Sequence, residues 1–464
     1  MLDTAGLLEG LEEALARRPV GRRALVSVTR AVELADPCAA IFASRMAGDR
    51  WFCWEQPDRD GFALAAVGSA HEAVSRGSHR FTDLVRECSA ITRGRAAVEP
   101  EDLPAGAGPV WTGGFAFAPD GGAAPHWSSF PPALLVLPEL SLLRSGDGTW
   151  LTLSAVAGAG ADPDAVRAAL ERRLAGLRER ELPMLDPEPA GATLIRSVSA
   201  PSGYEEAVAR ATERIASGSL EKTVLAREVT VEAPRAHDPA AIFAALRELF
   251  PSCFCFCAGS AEGAFLGASP ELLVRRRGAG AATVALAGSI RRSADPAVDD
   301  HLGEQLLHSA KDRSEHRIVA RRIERALAKR SVWVEADPDP RVVKVANIQH
   351  LAIPIHAQLT DPLSAIELAD LLHPTPAVGG EPAAAALEAI EALEDMDRGW
   401  YAGPVGWMDA AEDGELCVAL RSALLRDRTA HLFAGAGIVA DSDPAAELAE
   451  TELKLEALLP LIAG

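Results

Sequence analysis

The sequence lacks any uninterrupted apolar run long enough to span a membrane. Its start, MLDTAGLLEGLEEALARR, has no basic segment ahead of an apolar one, so it predicts an amphipathic helix and not a signal peptide. Positive charge is also scarce, because 46 Lys and Arg face 66 Asp and Glu, a formal net charge of −20. This balance argues against nucleic acid and anionic membranes as partners, and we expect a cytoplasmic protein.

Cysteine is infrequent, and its pattern argues against a cysteine-ligated zinc site. Only CFCFC places three of the seven cysteines together, at Cys253, Cys255 and Cys257. In a strand these three side chains lie in a row on one face, whereas tetrahedral zinc needs ligands that converge. We therefore expect a buried strand, with small thiols on one face and Phe254 and Phe256 on the other.

The glycine pattern of a dinucleotide-binding unit is absent as well. The Gly-Ala-Gly stretches at 158–160 and 435–437 do not form a strand–GxGxxG–helix unit with an acidic partner. What is present is ordinary for a globular protein: 464 residues, 48% hydrophobic and 24% charged. A chain of this length can bury a large core.

Strand-like and helix-like segments alternate in a way that predicts an α+β fold. Residues 1–190 read as a strand-rich N-terminal half, in which RWFCWEQ and GFALAAVG flank a PDRDG turn and predict a hairpin. The Pro-rich stretch LPMLDPEPAGA reads as a connection to residues 191–464. That second region opens with a helix for which Ser202 and Glu205 predict a capping box, and it contains a long helical stretch at about 298–330.

The stretch SDPAAELAETELK, at 442–454, predicts a helix that starts after Asp443. At about 100° per residue, Glu447, Glu450 and Lys454 share one narrow stripe, beside an apolar stripe of Leu448, Leu455 and Leu459 that should face the core. Taken alone, the first stripe is either a solvated Glu450–Lys454 pair or an acidic site that holds a cation.

Nine segments, spanning about residues 200–458, resemble those of one family. They are LEKTVLARE, FLGASPELLV, ALAGSIRR, SEHRIVARRI, VANIQHLAIPI, LHPTPAVGGEP, DRGWYAGPVGW, CVALRSALL and FAGAGIVADSDPAAELAETELK. The family is that of the chorismate-utilising enzymes, which include isochorismate, salicylate, anthranilate and aminodeoxychorismate synthases. The resemblance implies an α+β fold in which large antiparallel-rich sheets form a two-layered core with helices outside.

The resemblance also gives the C-terminal helix a role. It implies a metal site in which Glu315 and Glu450 ligate a Mg²⁺ that binds the ring carboxylate of chorismate, with Glu447 supporting the site. Mg²⁺ is a hard ion that takes a few protein carboxylates and accepts its other ligands from water or substrate. The metal would also offset the charge problem of an acidic protein that binds a dianion.

The catalytic pair implied by the resemblance is Lys222 and Glu271. In family members that add water to the ring, a lysine at the position of Lys222 is the base, and a glutamate at that of Glu271 is the acid. Ammonia-using members typically carry Gln instead of this lysine, so Lys222 favours water. Acting as base requires a neutral Lys222, and acting as acid requires a protonated Glu271, which apolar neighbours such as Leu266 or Leu272 would favour.

The remaining matches imply roles in substrate binding. Arg421 and Tyr401 match residues that hold the enolpyruvyl carboxylate, for which the planar guanidinium of arginine is suited. For His350, a structural role and a direct catalytic role are both open, whereas His316 and His373 are expected to be structural. The full set implied for the substrate is Gly288, Ser289, His350, Ala377, Tyr401, Arg421, Gly435, Gly437 and Lys454.

Within the family, Ala377 favours isochorismate synthases, because salicylate synthases tend to carry Thr there. The RND segment of anthranilate-type enzymes is absent after SEH, and LLEG at 7–10 matches only part of their LLES motif. The expected function is therefore Mg²⁺-dependent conversion of chorismate to isochorismate, for menaquinone, a siderophore or salicylate, with menaquinone favoured by the long N-terminal half. Alternatives are a salicylate synthase, an ammonia-using relative, or a non-catalytic regulator that binds chorismate or metal. We expect a monomer with no obligatory glutaminase subunit.

Overall fold

A computed structural model describes residues 4–19, 21–146, 148–186, 191–345 and 347–464. The described strands, numbered in chain order, are β1 (Ala24–Val32), β2 (Trp51–Gln56), β3 (Phe62–Val67), β4 (His71–Ser75), β5 (Ala96–Val98), β6 (Val110–Phe115), β7 (Ala133–Leu137), β8 (Leu140–Ser145), β9 (Gly148–Ala157), β10 (Leu194–Ser197), β11 (Lys222–Glu232), β12 (Phe254–Ser260), β13 (Gly263–Ser269), β14 (Leu272–Arg277), β15 (Gly280–Arg291), β16 (Ser331–Ala336), β17 (Arg341–Val345), β18 (Ile348–Leu359), β19 (Gly380–Glu381), β20 (Pro404–Asp409), β21 (Gly414–Val418), β22 (Ser422–Arg426) and β23 (Thr429–Ile438).

The described helices are α1 (Thr4–Arg17), α2 (Pro37–Ser44), α3 (Arg80–Thr92), α4 (Pro163–Ala175), α5 (Pro201–Ala216), α6 (Pro239–Leu249), α7 (Pro296–His308), α8 (Ala310–Ala328), α9 (Ala365–Leu372), α10 (Ala383–Leu393), α11 (Pro444–Leu455) and α12 (Leu459–Ala463). A 3₁₀ turn covers Pro125–Trp127. None of the described helices is both long enough and apolar enough to cross a bilayer.

Two large sheets form the core of the protein. The first has 13 described strands in the order β10-β11-β23-β22-β13-β12-β2-β3-β8-β9-β1-β5, with β19 beside β11. The second has ten, in the order β16-β18-β15-β14-β21-β20-β6-β7-β4, with β17 beside β18. Among the described pairings, β1 with β5 is parallel and the others are antiparallel. The predicted α+β fold with antiparallel-rich sheets is confirmed.

Strands from the two halves of the chain are neighbours in both sheets. In the first sheet β2 pairs with β12, so that Cys53 lies opposite Cys257. In the second sheet β6 pairs with β20, so that Thr112 lies opposite Trp407. The boundary near residue 190 stays a prediction, and residues 187–190 of the Pro-rich connection lie outside the described residues.

The alternation of Cys and Phe in β12 separates two layers of the core, as the sequence predicts. Phe254 and Phe256 belong to a buried cluster that joins residues of both sheets, where Phe62 of one sheet stacks on Trp407 of the other. Cys255 and Cys257 belong to the second cluster, which packs the other face of the first sheet against helices such as α2 and α6. All seven cysteines are buried free thiols.

Three helix predictions need correction. The stretch at 298–330 is two helices, because Ser309 ends α7 and caps α8 by accepting a hydrogen bond from the backbone N–H of Asp312. The helix α5 starts at Pro201 with Ala200 as its N-cap, so Ser202 is already the second helical residue and makes no capping box with Glu205. The apolar stripe after Asp443 is shorter than predicted, because α11 ends at Leu455.

Glu415 of β21 connects the two sheets through charge. Its side chain is 0% exposed, and Arg59, in the turn between β2 and β3, approaches within 2.7 Å of Oε1. Arg275 of β14 contacts the same carboxylate oxygen. A buried carboxylate shared by two guanidinium groups is costly to remove, because the remaining charges lose their partner.

We therefore expect Glu415→Gln to lower the free energy of unfolding by about 3 kcal/mol, measured by urea denaturation. The matched control is Glu335→Gln, since Glu335 is exposed on β16 and should change stability by less than about 0.5 kcal/mol. Equal stability of the two variants would show that Glu415 does not contribute to holding the sheets together.

Candidate active site

A cavity of about 810 Å³, partly open to solvent, lies where β11 and β23 of the first sheet meet β15, β18 and the helices α8 and α11. Twelve of the fourteen predicted site residues line it: Glu271, Gly288, Ser289, Glu315, His350, Ala377, Tyr401, Arg421, Gly435, Gly437, Glu450 and Lys454. The other two lie outside its lining: Lys222 pairs with Glu315, and Glu447 lies three residues before Glu450 on α11. The structure thus brings together side chains separated by more than 200 residues of sequence.

Lys222 is the first residue of β11, and its side chain is 0% exposed. Its Nζ lies 2.8 Å from Oε1 of Glu315 on α8. The angles of this ion pair are not those of a hydrogen bond, so Nζ has no hydrogen-bond partner among the described residues. Buried polar atoms are nearly always hydrogen-bonded, and an unsatisfied one beside a cavity is suited to a ligand or water.

Gly437 of β23 leaves the space that the Lys222–Glu315 pair occupies. A Cβ atom at this position would lie 2.5 Å from Oε1 of Glu315 and 3.1 Å from Cε of Lys222. Because Val224, two residues after Lys222, lies opposite Gly437 in the ladder, the close approach follows from the strand register. The pair therefore requires glycine at residue 437.

Glu271 follows Pro270, between β13 and β14, and is buried in the same cavity. Desolvation raises the pKa of its carboxyl group to about 8, although Lys222 and a hydrogen bond from Thr375 act in the opposite direction. Glu271 is consequently protonated near neutral pH and can donate a proton. The apolar part of the cavity wall comes from residues such as Leu286 and Leu420, whereas Leu266 and Leu272 do not line it.

Glu450 on α11 projects into the cavity and is held by two neighbours. Lys454 Nζ lies 2.7 Å from its Oε1, and the Ser289 hydroxyl donates a 2.9 Å hydrogen bond to the same oxygen. Burial opposes its ionisation, but Lys454 and Ser289 keep its pKa below the ordinary value. Lys454 also donates to the backbone carbonyl of Gly435, at 2.8 Å. The stripe predicted at Glu450 and Lys454 is thus part of the cavity and not a solvated surface.

Glu447 has a different environment from the one its place in the stripe suggests. It is buried, and its Oε1 accepts a 2.9 Å hydrogen bond from Lys311 of α8. Burial raises the pKa of Glu447, an effect that Lys311 and Ser442 partly offset. Among the residues that the structure describes, Glu315, Glu447 and Glu450 do not bring three ligand atoms within 4.8 Å of one another.

The carboxylates nevertheless fit a hard divalent cation. Glu315 and Glu450 come from two helices, face the same cavity and offer oxygen ligands, which Mg²⁺ prefers. Each of them has a lysine Nζ within 2.8 Å, from Lys222 and Lys454 respectively. The carboxylates that the metal would use are thus already paired with lysine side chains.

Arg421 and His350 form a hydrogen-bonded pair in the cavity wall. Arg421 Nη2 donates to His350 Nε2 at 2.8 Å, so the proton of the imidazole lies on Nδ1, which donates to the carbonyl of Gly288 at 3.2 Å. Burial and the Arg421 charge keep the pKa of His350 well below its ordinary value, so the ring is neutral. Nη1 of Arg421 is buried without a hydrogen-bond partner among the described residues.

The backbone has an unusual conformation at two residues of this region, Gly288 and Arg421. Gly288 has φ +75° at a bulge of β15, where pairing with β18 shifts between Ala287 and Ser289. Arg421 itself has φ +46°, a left-handed conformation that costs a non-glycine residue free energy and is found mostly at functional sites.

Arg398 is a site residue that the sequence analysis did not single out, although it lies in the quoted stretch DRGWYAGPVGW. It is buried in the cavity wall and pairs with Glu394. It also donates to the carbonyls of Val378 and Val224, both at 2.9 Å, and so ties the strand of Lys222 to the loop of Ala377. Its guanidinium lies 6.0 Å from the ring centre of Tyr401. The signal that the sequence offers is an arginine three residues before Tyr401, a predicted substrate-binding residue.

The chain is similar to known proteins along nearly its whole length. The sequence profile of the chorismate binding enzymes matches residues 10–463. The chain is 37% identical over 438 residues to the salicylate biosynthesis isochorismate synthase of Pseudomonas aeruginosa, covering 94% of this chain and 90% of that protein. It is 33% identical over 457 residues to the isochorismate synthase MenF of Bacillus subtilis, covering 96% and 95%.

Solved structures extend the similarity to the fold. The menaquinone-specific isochorismate synthase MenF of Escherichia coli superposes with a TM-score of 0.81 at 28% identity, covering 99% of both chains. Anthranilate synthase component I of Streptococcus pneumoniae shares the fold, with a TM-score of 0.66 at 21% identity and coverage of 86% and 92%. The match over nearly the whole length establishes that the chain belongs to the family of chorismate binding enzymes.

Proposed function

We propose that this protein is an isochorismate synthase, an isomerase that adds water to C2 of chorismate and expels the hydroxyl group from C4. The observation that supports it best is a carboxylic acid in the cavity, Glu271, whose pKa is raised to about 8, together with a buried lysine, Lys222, that contacts Glu315 of the cavity lining. Water addition needs a base for the nucleophile and an acid for the leaving hydroxyl, and these two groups are of the required kinds.

In the proposed reaction, neutral Lys222 takes a proton from water as the oxygen bonds to C2. The ring double bond shifts, the C4–O bond breaks, and Glu271 gives its proton to the departing oxygen, which leaves as water. The reaction ends with an ammonium at Lys222 and a carboxylate at Glu271, and proton exchange with solvent restores both. Because water is both consumed and released, the overall change is an isomerisation.

Mg²⁺ is the proposed cofactor, and when bound it would supply positive charge to hold the ring carboxylate of the substrate. Glu315 and Glu450 would hold the metal, and Glu447, paired with Lys311, would support Glu450 from the same helix. Ser289 and Lys454 orient Glu450 through hydrogen bonds to Oε1. The donor set consists of carboxylates and not of thiols or imidazoles, which fits Mg²⁺.

Arg421 is proposed to bind the enolpyruvyl carboxylate, with Tyr401 beside it. Its unpartnered Nη1 supports this role, because a buried guanidinium N–H gains most from a charged acceptor. His350 is proposed as a positioning residue, since its two nitrogens are engaged with Arg421 and Gly288 and its neutral ring has no proton to spare. Gly435 and Gly437 leave room for the ring, and the short side chain of Ala377 leaves further space in the cavity.

Lys222 favours water over ammonia as the nucleophile, and Ala377 favours release of isochorismate over pyruvate elimination. We propose that the product is used in menaquinone synthesis. In support, the superposition with the menaquinone-specific enzyme of E. coli covers 99% of both chains. The monomeric state, the cytoplasmic location and the independence from a glutaminase subunit stay predictions.

Incubation with chorismate and Mg²⁺ tests this function directly. We expect isochorismate as the product by chromatography, no new product when ammonium is added, and no turnover when a chelator removes the metal. Salicylate with pyruvate, or an amino-substituted ring, would identify one of the two alternative enzymes. No product under any condition would favour a regulator.

Lys222→Gln and Glu271→Gln should each lower kcat by about 10²-fold or more, because each removes one proton transfer. The matched control is Lys329→Gln, at the exposed end of α8, which should keep wild-type kcat. Circular dichroism checks that the variants fold. Near-normal turnover in either active-site variant would contradict the assignment of base and acid.

The pH dependence of kcat follows from the raised pKa of Glu271. The acid must be protonated, so kcat should fall as the pH rises through about 8. Measured at saturating chorismate and Mg²⁺, this alkaline decline should be missing from the residual activity of Glu271→Gln. A decline at the same pH in that variant would assign it to another group.

A further inference from the structure

A second group of potential ligands lies outside the active-site cavity. His126 sits in the 3₁₀ turn after β6, Glu228 in β11 and His431 in β23. Glu228 and His431 are on adjacent strands, where Glu228 lies opposite Phe433 and His431 opposite Thr230. Six residues of β11, or about 20 Å of extended strand, separate Glu228 from Lys222. We call these three residues the His126–Glu228–His431 cluster.

The side chains of the cluster meet closely. Each offers one ligand atom, and these atoms all lie within 4.8 Å of one another. It is the one group of three or more His, Cys, Asp or Glu side chains with this property in the part of the chain that the structure describes. Nδ1 of His431 is 2.6 Å from Oε1 of Glu228, and the rings of His126 and His431 stack with their centres 4.3 Å apart.

One nitrogen of the cluster is both buried and unused. Nε2 of His126 is out of solvent and has no hydrogen-bond partner among the described residues. Such an atom is normally satisfied by a protein group, a water or an ion. Glu228 is 5% exposed and His431 13%, so a ligand held here would be largely shielded from water.

The hydrogen bond between Glu228 and His431 is of a kind that prepares histidine for metals. A carboxylate bound to one ring nitrogen fixes the orientation of the imidazole and increases the basicity of the other nitrogen. Two imidazoles and one carboxylate are a typical donor set for Zn²⁺, Co²⁺ or Ni²⁺, and imidazole is a poor ligand for Mg²⁺.

We infer that the His126–Glu228–His431 cluster binds a divalent transition metal such as Zn²⁺, at a site separate from the one proposed for Mg²⁺. The two sites differ in donor chemistry, since one presents carboxylates and the other presents imidazoles. This inference does not depend on the proposed catalytic function.

Binding requires a local rearrangement of His126. The two rings are tilted by only 17°, so their in-plane lone pairs are nearly parallel and do not meet at one point. His126 belongs to a turn of three residues and is half-buried, so its ring can turn about the Cβ–Cγ bond without displacing a strand. Arg426, whose charge is felt at His126, opposes a cation, whereas Asp397 favours it.

The metal would connect this turn to the strands that carry the active site. Trp127, next to His126, stacks on Phe433, and Phe433 stacks on Tyr401, with ring centres 5.7 Å and 5.2 Å apart. Phe433 and Tyr401 both line the cavity. A metal bound to the cluster would thus hold in place the turn that packs against Phe433 of the cavity wall, without contacting the substrate.

Titration calorimetry of the whole protein, stripped of metal and then saturated with Mg²⁺, tests the inference with ZnCl₂ as the probe. We expect one Zn²⁺ per chain, and an association constant about 10- to 100-fold lower in His126→Gln, Glu228→Gln and His431→Gln. The absorption spectrum of bound Co²⁺ should report nitrogen ligation and change in the same variants.

Two controls separate this site from other causes. His356→Gln removes an exposed imidazole of β18 and should leave Zn²⁺ binding unchanged. Glu450→Gln should also leave it unchanged, because Glu450 belongs to the other site. His126→Gln is the decisive variant if the two strand variants fail to fold. Absence of Zn²⁺ binding in the wild type, equal binding in His126→Gln, or loss only in Glu450→Gln would overturn the inference.

Discussion

A lysine that is fully removed from solvent needs a polar partner, and Lys222 finds it in Glu315, 2.8 Å away. Burying either side chain alone would be costly, so the start of β11 and the N-terminal part of α8 have to meet. Their meeting requires a residue without a side chain on the neighbouring strand, which is Gly437. This one contact therefore constrains the strand, the helix and the glycine together.

Pairs of lysine and carboxylate also occur elsewhere around the cavity. The protein has a net charge of −20, and around the cavity lysines and an arginine are concentrated beside a few carboxylates. Glu315, Glu447 and Glu450 each have their own lysine, from β11, α8 and α11 respectively. Glu271 is the exception, since it has no ion-pair partner within contact distance among the described residues and burial keeps its proton in place.

Much of this arrangement could be predicted from the sequence, because the motifs are local and their residue types are specific. The alternation in CFCFC predicts a two-sided strand, and Asp443 before Pro444 predicts the start of α11 correctly. Partners that come from elsewhere in the chain could not be predicted in this way. Lys311 pairs with Glu447 from another helix, which no spacing within SDPAAELAETELK reveals.

The errors have similar physical causes. The capping box at Ser202 fails because Pro201 is already the first helical residue, so Ser202 lies too far inside the helix to cap it. His350 is a different case, because the sequence leaves its role open: that role depends on which nitrogen carries the proton, which Arg421 and Gly288 set. Local sequence patterns indicate whether a segment is a helix or a strand and which residues share a face. Tertiary contacts decide which other side chains that face contacts.

The pairing of strands from both halves of the chain affects how the protein is made. A nascent chain that has left the ribosome only as far as β9 holds β2 and β6 without their neighbours β12 and β20, and β12 follows β2 by about 200 residues. Sheets with such distant pairings have high contact order, and their open edges attract other chains until synthesis is complete. We therefore expect both sheets to be completed late in translation, and the unfinished N-terminal half to be exposed to chaperones in the meantime.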